Sequence, residues 1–197
     1  EKYRGCEFTN EADGRLSNRF ETSRGEVFKH TAPADAYCLI PAEDLQPQTV
    51  ADSIQQRLKT RLPENVLELQ LRLYPESING PYYHYSHGLK QHAGNCQRIA
   101  HGHRSKIEIF DENGRREDIE NYWAQRWQDI YIGTASDLIS QNEQHCEFAY
   151  RACQGEFFLS LPAQRCYLMD TDSTVENIAR HLAEASSKIY PGKQLTV

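Results

Sequence analysis

"YYHYSHGLKQHAGNCQRIAHGHRSKIEIF", Tyr82–Phe110, reads as strand, loop and strand, and it holds five of the chain's eight histidines. Side chains alternate across a strand, so His101, His103, Ser105, Ile107 and Ile109 share one face while Arg104, Lys106 and Glu108 take the other. Upstream, Tyr83, Tyr85, His87 and Leu89 share a face, and His84 falls on the opposite one. Folding the two strands into a hairpin through Lys90–Ala100 brings His87 to the His101 and His103 pair. Three neutral imidazole nitrogens are the ligand set of a catalytic zinc with one open position.

Cys96 sits in the loop, between His87 and His101. As a fourth ligand it would close the tetrahedron and make the site structural. As a free thiolate beside a cation it would serve as base or nucleophile. Close cysteine pairs, the usual mark of a structural zinc site, are absent, which favours the free thiolate. His84 and His92 read as bystanders that only hydrogen-bond, and His30, His145 and His181 are isolated.

With 197 residues the chain can bury a core without a disulfide or metal staple, so a metal here calls for an explanation in chemistry. Its 22 basic and 28 acidic residues give a net charge of −6 with no basic face, which argues against nucleic acid as a partner. No apolar run approaches the ~18 residues of a membrane helix and no signal peptide is visible, so the expectation is a soluble, cytoplasmic protein with no membrane partner. The six cysteines are irregularly spaced and read as reduced, with Cys38 and Cys166 buried in apolar strand-like runs. The first residue is Glu rather than Met, so the expectation is a processed or partial form whose natural start lies further upstream.

Outward from the histidine stretch the chain repeats itself. The segment from Gly25, "GEVFKHTAPADAYCLIPAEDLQPQTV", resembles the one from Gly155, "GEFFLSLPAQRCYLMDTDSTV". Pro33 pairs with Pro162, Leu39 with Leu168, Thr49 with Thr174 and Pro63 with Pro191, the signature of a duplication. Each copy reads as strand, capped helix and strand, opening on "AYCLI" and "RCYLM". Ser173 with Glu176 forms a capping box ahead of a stripe of Val175, Ile178, Ala179 and Leu182; Thr49 and Asp52 repeat it before Val50, Ile54, Leu58 and Leu62. After Pro63, Val66, Leu69, Leu71 and Leu73 alternate as a strand that ends before Glu76, and Val197 stands inside the matching strand of the second copy. Between the copies, "EDIENYWAQRWQDI" sets Ile119, Trp123, Trp127 and Ile130 on one helical face as a core stripe.

The motifs "YSHGL", a loop cysteine and "HGH", followed by "STVENIA" and preceded by "LRLYPES", resemble the 6-pyruvoyl tetrahydropterin synthase and 6-carboxytetrahydropterin synthase family. The resemblance covers residues 25–197 as two family units. It implies an α+β chain of the tunnelling fold (T-fold), a four-stranded antiparallel sheet backed by two helices, assembling into a homo-oligomer. Residues 1–76 would be the C-terminal part of a first unit, and residues 77–197 a second unit carrying the zinc site and ending inside its last strands. Carried over by position, His87, His101 and His103 would bind Zn2+, Cys96 would be the catalytic thiol, and Glu76 would anchor the pterin. The implied substrate is 7,8-dihydroneopterin triphosphate, converted to 6-carboxytetrahydropterin for deazapurine (queuosine) synthesis or to the 6-pyruvoyl product; a cyclohydrolase and a non-catalytic module with structural zinc are the alternatives. The family's Asp-His pair has no counterpart, since no Asp-His dipeptide occurs. Either it lies upstream of Glu1, as its usual place ahead of the "AYCLI" strand favours, or the chain holds zinc without full turnover.

Overall fold

The computed structural model describes residues 3–192 and 194–197 and shows an α+β chain. The chain divides into two compact units, and the division differs from the sequence-based boundary at residue 76: the described residues up to 36 belong with those from 78 onward, and residues 37–77 form the other unit. The physical reason is strand pairing, because the N-terminal strands join a sheet built from residues beyond 137.

In the larger unit, β1 (Tyr3–Asn10), β2 (Arg15–Thr22) and β3 (Val27–Pro33) form an antiparallel meander. The smaller unit contributes α1 (Pro47–Lys59). The chain continues with β4 (Tyr82–His87), β5 (His101–Lys106), the short hairpin β6 (Phe110–Asp111) and β7 (Gly114–Arg115), α2 (Glu117–Arg126) and β8 (Ile130–Thr134). A second meander follows, β9 (Leu138–Gln141), β10 (His145–Ala152) and β11 (Gly155–Pro162), and then β12 (Cys166–Met169) and α3 (Val175–Ile189).

The two meanders meet edge to edge in one six-stranded sheet, β1-β2-β3-β11-β10-β9. At the join, Lys29 pairs with Ser160, His30 with Leu159 and Thr31 with Phe158. The alignment that sets Pro33 on Pro162 also sets His30 on Leu159, so the register is symmetric about that pair. Both meanders end in proline and one turn of 3-10 helix, Ala34–Ala36 and Ala163–Arg165.

A second sheet has four strands, β12-β8-β4-β5, and two helices pack on it. Ile119, Trp123 and Trp127 from α2 and its end join Ile178 and Leu182 of α3, Tyr83 and Tyr85 of β4, Ile130 and Ile132 of β8, and Met169 in one core cluster. Ile119, Trp123 and Trp127 of the stripe read from "EDIENYWAQRWQDI" are therefore buried as anticipated, whereas Ile130 is buried on β8 and not on the helix, which ends at Arg126. Strand direction differs from the antiparallel sheet anticipated: β4 and β5 are antiparallel, but β8 runs parallel to both β4 and β12. β5 returns the chain, so β8 starts at the same end as β4, and the whole β9–β11 meander lies between β8 and its parallel neighbour β12.

Helix ends also shift. Thr174, not Ser173, caps α3, its side chain accepting from Asn177 N, and Val175 is 66 % exposed rather than part of the buried stripe. In the smaller unit, α1 starts at Pro47, whose fixed φ suits a first helical position, and not at the Thr49–Asp52 pair. That unit's two anticipated strands do not form: residues 37–40 and 65–77 carry no strand, Cys38 is exposed, and Leu67 is 99 % exposed. A strand persists only through a hydrogen-bonded neighbour, and alternation alone supplies none. In the second copy, by contrast, β12 forms beside β8, and Thr196 exchanges backbone bonds with Phe110. Among the described residues no cysteine is in a disulfide, and no helix is long and apolar enough to cross a membrane.

Candidate metal centre

The β4–β5 hairpin sets His87 opposite His101 and Tyr85 opposite His103. His103 is therefore a diagonal neighbour of His87 on the same face, and the ring centroids lie 4.4 Å (His87 to His101), 5.0 Å (His87 to His103) and 5.0 Å (His101 to His103) apart. One nitrogen from each ring lies within 4.8 Å of the others, a spacing that can hold one ion. Among the described residues no cysteine or carboxylate joins this set.

Two rings are oriented by backbone carbonyls. His87 Nδ1 is 2.9 Å from Ser173 O, and His101 Nδ1 is 3.0 Å from Arg98 O. A carbonyl only accepts, so each Nδ1 carries the proton and each Nε2 keeps its lone pair. His101 Nε2 is buried with no hydrogen-bond partner among the described residues, a costly state for an imidazole unless something else occupies that direction. Tyr85 walls the site, stacked on His103 and edge-on to His87.

Burial, reinforced by the neighbouring His101 and His103, pushes the His87 imidazole down to about 3, against the raising influence of its bond to Ser173. Burial lowers His101 as well. Both rings are thus neutral at physiological pH, the form that binds a metal.

Cys96 lies in the one-turn 3-10 segment Gly94–Gln97 and is half-buried. The loop around it is pinned at many points. Leu89 N donates to Cys96 O (2.9 Å), Tyr150 Oη to Gln97 O (2.7 Å), Tyr131 Oη to Ile99 O (2.9 Å) and Gln154 N to Gln97 Oε1 (3.1 Å). Lys90 Nζ pairs with the buried Asp137 carboxylate. Gly88 is required by the close approach, because a Cβ there would lie 2.8 Å from Ile99 O and collide with Tyr150 Oη.

Of the residues singled out in the sequence, His87, His101 and His103 come together, and Cys96 lies on the loop that joins their strands. Glu76 is an exposed residue of the 37–77 unit. His84 faces away from the three histidines, as its parity implies, and its Nδ1 is 2.9 Å from Asp129 Oδ1. His92 is exposed in the loop. Sequence reading missed Ser173, Tyr131 and Tyr150. A signal existed for the first: in "DSTVEN" only one hydroxyl can cap the helix, which frees the other for a different partner. No protein-family model, no curated protein and no solved structure matches the chain.

Proposed function

We propose that the chain is a zinc-dependent lyase similar to 6-carboxytetrahydropterin synthase, built on the T-fold as a tandem-unit, homo-oligomeric cytoplasmic member, and acting on 7,8-dihydroneopterin triphosphate. The observation that carries the metal reading is the buried His101 Nε2 without a partner among the described residues, beside two further imidazoles with nitrogens inside the same 4.8 Å set. Three neutral nitrogens suit Zn2+ and leave a position for substrate oxygen. The hairpin, loop cysteine and "STVENIA" helix start support the choice of family, as does the pair of helices behind a four-stranded sheet.

His87, His101 and His103 would hold the zinc, which when bound supplies Lewis-acid polarisation of a substrate oxygen and so acidifies the neighbouring C–H. Cys96, outside the ligand set and held on a braced loop, takes and returns the proton. The Glu76 carboxylate offers two acceptor oxygens to the paired N–H donors of a pterin ring.

The test is zinc content and turnover of the full chain and of Cys96→Ala. The expected result is about one zinc per chain in both and loss of dihydroneopterin triphosphate consumption only in the variant. Zinc lost along with Cys96 makes the site structural, and consumption of GTP instead makes the protein a cyclohydrolase. Product mass separates the carboxy from the pyruvoyl outcome.

A further inference from the structure

Ser173 is fully buried and reaches His87 twice, with both its carbonyl oxygen and its Oγ 2.9 Å from His87 Nδ1. The residue is released from capping duty because Thr174 performs it. Asn177 holds the segment on either side: its N donates to Thr174 Oγ1 (3.4 Å) and its Nδ2 to Asp172 O (2.8 Å). A continuous set of bonds therefore runs from the first turn of α3 through residues 172–174 to the His87 ring on β4.

We infer that Ser173 is a positioning residue for the metal centre, fixing His87 as the Nδ1–H tautomer so that Nε2 faces the ion, and tying that ring to the start of α3. The role rests on the metal reading above. The tautomer follows from chemistry: were Nδ1 unprotonated, its lone pair would oppose that of Ser173 O at 2.9 Å in a site where water cannot intervene. Free imidazole favours the other tautomer, so the protein selects the metal-ready form before any ion arrives. Ser173 Oγ, also 2.9 Å from Nδ1, accepts from the same proton. Such supporting groups set ring orientation and ligand basicity, and their removal weakens metal affinity about 10- to 100-fold; with the carbonyl retained, Ser173→Ala belongs at the lower end, about tenfold.

The experiment uses the full chain in three forms: unaltered, Ser173→Ala and Ser186→Ala. Ser186 is the control because it is also fully buried on α3 but serves Trp123 Nε1 at 2.7 Å. Zinc affinity is read by competition with a chromophoric chelator, and the His87 tautomer by 15N NMR of the metal-free protein at neutral pH. The expected result is an Nδ1–H ring at His87 in the unaltered protein, an affinity loss of about tenfold for Ser173→Ala, and a lower melting temperature but unchanged zinc affinity for Ser186→Ala. An Nε2–H ring, or Ser173→Ala and Ser186→Ala weakening zinc equally, overturns the inference. If the unaltered protein takes up no stoichiometric zinc, the metal reading fails, and the tautomer measurement still decides whether Ser173 sets the ring.

Discussion

His30 lies at the join of the two meanders, opposite Leu159, and burial pushes its imidazole from the ordinary 6.5 down to about 4. The folded state thus resists protonation there. Above pH 6.5 the ring is neutral whether folded or unfolded, and the position costs nothing. As pH falls from 6.5 towards 4 the unfolded chain takes up a proton that the folded chain refuses, so stability is lost progressively and the loss is complete below about 4. Each pH unit in that window costs about 1.4 kcal/mol, so about 2 kcal/mol is lost by pH 5. His30→Leu, which installs the residue found at the symmetric position, removes this dependence. Urea unfolding at pH 7.5 and pH 5.0 measures it: the unaltered chain should lose about 2 kcal/mol more between the two than the variant does. Groups elsewhere titrate alike in both proteins and cancel in the difference. Equal losses in the two proteins would refute the reasoning that burial at this join holds His30 neutral.

Two further outcomes follow from the site. Gly88→Ala forces a Cβ to within 2.7 Å of Ile99 Cα, and because the obstacle is backbone, Tyr150→Phe will not relieve it; thermal unfolding should show a loss of roughly 1–3 kcal/mol in the single and the double variant alike. Stripping metal with a chelator should lower the melting temperature, and zinc at a hundred times its dissociation constant should restore about 2.7 kcal/mol, an effect abolished by His101→Ala.

The hairpin and its ligand face were legible because period-two alternation and a polar loop specify a local structure whose register follows from parity. The buried stripe of α2 was legible for the same reason at helical period. What alternation cannot convey is whether a neighbour exists. "NVLELQL" and "AYCLI" have strand composition yet form no strand, whereas "CYLM" forms one because β8 lies beside it. Nor does the sequence mark strand direction, which here follows from what lies between the paired strands: β5 between β4 and β8, and the β9–β11 meander between β8 and β12. Ser173 was hidden for a third reason: its partner His87 is 86 residues away, so no local pattern links them.

The symmetry of the six-stranded sheet does not extend to the candidate metal site. Its centre falls on His30 and Leu159, and each meander continues into its own proline and 3-10 turn. The three histidines lie in the stretch between the meanders, and among the described residues they are the one cluster that can hold a metal. On the proposed metal reading, this single cluster predicts one ion per chain, not two. It also separates two parts of the chain: the joined meanders form the extended sheet, while the β4–β5 hairpin brings the three histidines together and Ser173, just ahead of α3, bonds to one of them. Substitutions at the His30 join should therefore change stability with little effect on zinc affinity, and those at Ser173 should do the reverse.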